Sequence, residues 1–489
     1  MAQDYDVLPL DKKYVAPVID TNLDEDSDQY RNAIKAKSNV ERTIRNARSE
    51  AKDALDAGNI NLVQEYLESV LFPMTTQLDD EMLSNAGTFR AQFKKDFLSA
   101  SVPDQTRVGL LDNIVLPNLK KIVEGNYHPA ARLNAITLVG ELDSKDGDKA
   151  ASALPVPHAA SVKYLLECIA REDLPEYVTV GAASGLTRIA LIAGAGGSID
   201  NADSTTLRSY ASSVLGGTAN GQDKWSKDVG YWMQRRATQI LGNLRSPGAN
   251  GAIVESLNQL IADSEAPINL RADAVDAISK ITVGNKDLLV ETIDSTIAFS
   301  ADALEYNAVA MYDRIKKYVG EGLLFHDKYL LDEGRLDGGK GGRQGPQTGT
   351  TGLEGSDTSS NNNKNEDEEF EGFDLPNFDV NIFRRQTRGY LVVSLNAIRN
   401  RSQEDAFKSD AQAVQRSADA QEIILRGLDA TNMGLKNLRE PDAKTGVEPG
   451  ERLTDAMHDK FLELSSSLKE LAPKAQPAAA APADPNADS

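Results

Sequence analysis

The chain has 489 residues and a formal net charge of −21, from 53 Lys and Arg against 74 Asp and Glu. That length allows two or three domains or one extended repeat array, and that field repels phosphate backbones and anionic membranes. Hydrophobic residues make up 40% but aromatics only 6%, which suits helices packed through small side chains more than a sandwich or barrel.

In chain order, residues 1–25 carry prolines and aspartates without a helical period and read as an extended arm. Ser27 to Ala57 is helical, with Ile34, Val40, Ile44, Ala47, Ala51 and Leu55 set among charges, until Gly58 and Asn59 break it. Asn61 to Phe72 is a second helix, which Pro73 is expected to end. Leu78 to Ala100 is a third, and Phe89, Phe93 and Phe97 at four-residue spacing form a stripe expected in the core. Residues 26–100 together read as an N-terminal helical cap.

Four helix pairs follow: Asp104 to Glu124 with the helix after His128, His158 to Arg171 with Leu174 to Ile192, Ser204 to Leu215 with Asp223 to Leu244, and Gly251 to Asp263 with Ile268 to Ile281. Residues 144–157 and 193–204 are expected to be loops between them. The second helices align on a small residue. Ala135 is followed by Val139 and Leu142, Ala182 by Leu186 and Ile189, Ala237 by Leu241 and Leu244, and Ala274 by Ile278 and Ile281. Three residues before these anchors stand Arg132, Thr179, Gln234 and Arg271, and five after stand Gly140, Thr187, Gly242 and Ser279. Pro129, Pro175 and Pro267 open three of the four helices, where a missing N–H costs nothing. The anchors lie 47, 55 and 37 residues apart. A two-helix unit at roughly 40–47 residues is the period of HEAT and armadillo repeats.

On Pro129, Arg132, Ala135, Val139, Gly140 and Leu142, on Arg271, Ala274, Ile278 and Ile281, and on the run from Ala237 to Leu244, the chain resembles the HEAT-repeat family, in particular its bacterial members. The second copy departs from the pattern, with Thr179 and Thr187 where arginine and glycine are usual. The resemblance covers about residues 104–283. It implies an all-α fold, a right-handed α-solenoid over residues 101–333, whose second helices line a concave face for protein partners. On that face Asn134, Gln234, Gln239, Asp273 and Asp276 are the candidate contacts. Asp287 to Ile297 and Ala301 to Val319 are expected to add a fifth, degenerate pair.

Residues 334–367 carry almost no large apolar side chains and are expected to be a disordered linker. Residues 368–472 read as an acidic–aromatic segment followed by C-terminal helices over Asn381 to Asn400, Ala406 to Leu428, Met433 to Leu438 and Arg452 to Leu471, and 473–489 as a disordered Pro/Ala-rich tail. Phe370, Phe373 and Phe378 either dock into a partner's groove or fold back onto the chain's own surface.

Catalytic signals are weak. The single cysteine, Cys168, sits among Leu165, Leu166 and Ile169 and reads as a buried thiol. His128 and His158 stand at helix starts and read as capping or solvated groups, and none of the four histidines precedes a glutamate, the pair HEAT-like hydroxylases use to hold iron. The run GAGGSID lacks the third glycine of a dinucleotide loop, and no Ser or Thr follows Lys340, as a Walker loop requires. HEAT-like DNA glycosylases need a basic groove. Here Arg235, Arg236 and Trp232 are the nearest approach, and they read as a solvated pair beside an inter-repeat tryptophan. No cofactor, metal or nucleic acid is expected. No run of about 18 apolar residues suggests a membrane span.

The expectation is therefore a non-enzymatic scaffold that binds protein, with self-association left open. The alternatives are a structural component of an envelope or assembly, and a cofactor-handling protein resembling the phycobilin lyases. The opening MAQDYDVLPL lacks signal-peptide regions, so the location is cytoplasmic by default, or exported if Met1 to Gln3 is a processing scar.

Overall fold

A computed structural model of the chain describes residues 5–11, 27–56, 61–78, 86–98, 102–148, 151–320, 380–437 and 449–472. The expected linker 334–367, the tail 473–489, and Phe370, Phe373 and Phe378 lie outside these residues. Most of the described chain is helical, so the described residues are all-α apart from one two-stranded hairpin. It divides into two compact units, residues 1–296 with 396–414, and residues 297–395 with 415–489.

The first unit begins with α1 (Asp28–Asp56) and α2, which starts as Asn61–Tyr66, passes through a π turn at Leu67–Leu71 and continues as Phe72–Thr75. Pro73 therefore does not end this helix. The wider π turn shifts the hydrogen-bond register just before the proline ring has to fit. The Ser69 carbonyl, which an N–H at position 73 would have served, accepts instead from Asp11 N of the N-terminal arm at 3.3 Å. The same device recurs in α4, where Asp104–Leu110 passes through a π turn at Leu111–Val115 into Leu116–Glu124, with Pro117 in its first turn. Between them lies α3 (Ala86–Phe97), whose Phe93 and Phe97 are buried and stack in series with Tyr66 and Phe89.

Then come α5 (Pro129–Val139), α6 (Ala159–Ala170), α7 (Glu176–Gly194), α8 (Asn201–Leu215), α9 (Lys227–Leu244), α10 (Ala252–Ala262) and α11 (Ile268–Ser279). Each second helix packs on its own first helix, α4 with α5, α6 with α7, α8 with α9 and α10 with α11. The second helices also pack in succession, α5 on α7, α7 on α9 and α9 on α11, and α3 packs on α5. The four anchor alanines are all buried. Arg132 and Arg271, in the same register, make the same bond. Each donates Nε at 2.8 Å to the second-last residue of the preceding first helix, the carbonyls of Val123 and Ile261. This satisfies a helix-end acceptor that has no partner within its own helix.

The glycines five residues past the anchor mark close approaches. A Cβ on Gly140 would stand 2.5 Å from the Cα of Gly185, and one on Gly242 would stand 2.5 Å from the Cα of Ala277. Gly185 and Ala277 both lie three residues past their own anchors, so the two crossings are equivalent in register. Helix α7 is the one described helix long and apolar enough to cross a membrane by length and composition. Here its Val178, Ala182, Leu186, Ile189 and Ala190 are buried within the first unit.

Residues 144–157 are not a plain loop. Asp143–Lys145 (β1) pairs antiparallel with Val156–Pro157 (β2), and the fully buried Arg107 of α4 holds the turn through Asp146 at 3.0 Å. Nor do residues 286–320 form two helices. They are one helix, α12 (Lys286–Gly320), because no glycine or proline interrupts Ile297 to Ala301.

At the far end of α11, residues that follow the linker return. Arg401, near the end of α13 (Val380–Ser402), donates to the carbonyl of Ser279 at 3.2 Å and to that of Ile281, and Asn400 Nδ2 donates to Ser279 at 3.1 Å. Glu404, ahead of α14 (Asp405–Lys408), pairs with Arg401 and accepts from the Gly284 amide at 3.0 Å. A cation at a helix C-terminus is favoured by the helix dipole.

In the second unit, α12 and α13 meet α15 (Ala411–Asn437) and α16 (Pro449–Leu471) around Phe299, Leu304, Leu391, Ile424, Phe461 and Leu464. Phe299 meets Tyr390 edge-on at 6.1 Å, and Gly427 faces Leu391, Leu304 and Leu464. Ser465 donates to the Ala301 carbonyl at 2.9 Å, and Arg426 pairs with Glu463 at 3.0 Å.

Candidate functional site

The side chains two and six residues past the anchors sit one helical turn apart, on the same side of each second helix. In three helices they converge. Ser184 and Arg188 of α7, Gln239 and Asn243 of α9, and Asp276 and Lys280 of α11 line one open cleft of about 470 Å³, completed by Thr187, Leu191 and Arg236.

Three cations and one acid face this space. Arg188 is occupied, with Nη1 and Nη2 on Asp143 at 3.0 and 2.5 Å and a further bond to the Gly140 carbonyl. Burial pushes the Asp143 carboxyl up, against the pull of Arg188. Lys280 donates to Asp276 at 2.7 Å and to the Asn243 amide oxygen at 3.4 Å. Arg236 lies over the Trp232 ring, 4.6 Å from its centroid, and donates to Gln239 Oε1 at 2.9 Å. The Asp273 carboxylate beside it is taken by Arg235 at 2.5 Å. Burial, and then the neighbouring Arg235 charge, hold the Arg236 guanidinium below its usual range. Leu191, at the rim, is 58% exposed.

Of the residues singled out by the repeat register, Gln239 and Asp276 line the cleft, and Asp273 borders it through its bond from Gln239 at 3.5 Å. Asn134 does not reach it. It is buried and accepts from Arg90 of α3 at 2.5 Å. Gln234 is half-buried and is not part of the lining. Arg236 is half-buried in the cleft rather than pointing to solvent, and Trp232 is its stacking surface. Sequence reasoning missed Arg188, Asn243 and Lys280. Applying the anchor-plus-two and anchor-plus-six register to every copy would have found them.

Comparison of the chain with protein-family models, curated proteins and solved structures gives no match.

His158 corrects an expectation. It is neither solvated nor a cap. It is 3% exposed, with Nδ1 2.8 Å from Ser161 Oγ and Nε2 3.0 Å from Asp112 Oδ1. The π turn Leu111–Val115 carries Asp112 to this position. A serine, a histidine and a carboxylate in line resemble a nucleophile relay, but Ser161 is 1% exposed and packed inside α6, where no substrate can reach it. Burial holds the His158 imidazole below its usual range, although Asp112 pulls the other way. His128 does cap, its Nδ1 accepting from Ala130 N at 3.2 Å. Cys168 is fully buried, and that burial pushes its thiol up to about 11. Among the described residues, no group of three or more His, Cys, Asp or Glu side chains is placed to hold a metal ion.

Proposed function

We propose that the protein is a non-enzymatic scaffold whose helix pairs over residues 104–281 form a HEAT-like α-solenoid, capped at its N-terminal end by α1 to α3, and that it binds a protein partner on the face built by its second helices. The observation that carries this reading is the register itself. The same two positions of three successive second helices supply polar and charged side chains to one cleft, while the anchors between them are buried. Stacked helix pairs expose an extended surface suited to a partner chain.

Site-specific photocrosslinking in the source cells tests it. A photoreactive side chain at Ser184 or Gln239 is expected to capture a defined protein. The same group at Lys163, exposed on first helix α6, is expected not to. Equal capture at all three positions, or none at Ser184 and Gln239, would overturn the assignment of this face.

A further inference from the structure

We infer that the cleft across α7, α9 and α11 receives a short carboxylate-rich segment of a partner protein, its acids held by Arg236 and Lys280 and an apolar side chain resting on Leu191. This rests on the reading of the second-helix face as the binding face, and it names the chemistry of what binds there.

The lining carries Arg188, Arg236 and Lys280 against Asp276 alone. Arg188 is already held by two bonds to Asp143. Arg236 differs. Its hydrogen bond goes to a neutral amide and its ring partner is Trp232, while the adjacent Asp273, whose charge it also feels, is ion-paired with Arg235. The contact with the Trp232 ring and the bond to Gln239 hold the guanidinium in place, so it is presented to a carboxylate at reduced ordering cost. Lys280 shares one acid, Asp276, which an incoming carboxylate could supplement. Asn243 Nδ2 adds an amide donor for a peptide backbone. Leu191, among these cations, gives an apolar ledge that a phosphate chain would not use.

Charge separates a peptide from a nucleic acid. A phosphate backbone carries a charge on every unit and meets the −21 field along its whole length. A short acidic segment needs only local contacts, because repulsion from charges farther than about 8 Å is largely screened at physiological salt.

The test uses the full chain and a fluorescein-labelled synthetic peptide of glutamates around a single leucine, at about 0.15 M salt. Binding is read by anisotropy and by the emission of Trp232 in a Trp225→Phe background. Arg236→Gln and Lys280→Gln are each expected to weaken binding about tenfold, the loss of one charge-assisted hydrogen bond. Asp276→Asn removes the resident competitor for Lys280 and is expected to tighten binding several-fold, a gain that mere damage to the fold would not give. Lys163→Gln, on α6, is expected to leave it unchanged. Circular dichroism of each variant confirms that it is folded. Absence of peptide binding, equal binding by all variants, or displacement of the peptide by inorganic phosphate or a single-stranded oligonucleotide at equal or lower concentration overturns the inference. If crosslinking at Gln239 still captures a protein while the peptide fails, the inference falls and the binding face stands.

Discussion

Replacing Gly140 with alanine would place a methyl carbon 2.5 Å from the Cα of Gly185. Carbon atoms without a bond between them rest at about 3.5–4.0 Å, so α5 and α7 would have to separate by roughly 1 Å. The new Cβ is fixed by its own backbone and the Gly185 Cα is itself main chain, so no side-chain rotation relieves the clash. Gly140 has φ −67°, so alanine meets no backbone strain there. Alanine's preference over glycine in a helix interior, up to about 1 kcal/mol, acts at most in part at this C-cap position. Overpacking a close crossing costs about 1–3 kcal/mol, occasionally more. The net expectation is destabilisation by about 1–2 kcal/mol, opposite in sign to the propensity effect. Gly230→Ala is the matched control. It lies inside α9 with nothing within 4 Å of its Cβ position, so propensity alone acts and about 0.5–1 kcal/mol of stabilisation is expected. Urea unfolding followed by circular dichroism reads both. A Gly140→Ala protein as stable as the parent would refute the claim that this crossing is set by backbone contact.

Other outcomes follow from the same geometry. The His158 imidazole is held below its usual range by burial, so the unfolded chain binds the extra proton first as pH falls. Its contribution is present above about pH 6.5 and fades below it, so between pH 7 and 5 the parent should lose more stability than His158→Gln, and parallel pH profiles would contradict this. Arg401→Ala leaves Glu404 and the Ser279 and Ile281 carbonyls without their cation and should cost about 3 kcal/mol, partly restored by Arg401→Lys. An unchanged urea midpoint would show that the returning segment is not needed there. Cys168 is the chain's one cysteine, and its thiol is buried and pushed up to about 11. Alkylation by iodoacetamide at about pH 8 should therefore track unfolding rather than time in the native state, and rapid native labelling would contradict its burial.

What could be read without coordinates was whatever a helical period records. The anchors Ala135, Ala182, Ala237 and Ala274 and the pairing of helices follow from apolar residues three and four apart. Arg132 and Arg271 could be matched to each other, though not to the carbonyls they serve. Pro73 misled, because a π turn has no spacing of its own in the sequence and a proline is ordinarily a stop. Ile297 to Ala301 misled for the opposite reason, since nothing there breaks a helix. The cleft cations were hidden because a single helix does not tell which flank of its polar side meets the neighbouring helix. Arg401 and Glu404 lie more than a hundred residues from the amides and carbonyls they bind, and no local pattern predicts such a return.

The register of the second helices separates two tasks that many binding proteins entangle. The anchor alanines and the close crossings decide whether neighbouring helices fit. The positions two and six residues later face the cleft, and Arg188, Gln239 and Lys280 among them also bond across to a neighbouring helix pair. A change at the anchor-plus-two position, as at Ser184 or Asp276, should therefore trouble the joints less than a change at Arg188 or Lys280. If the cleft binds as proposed, its preference would be open to change position by position, with Ser184 and Asp276 the first places to exchange.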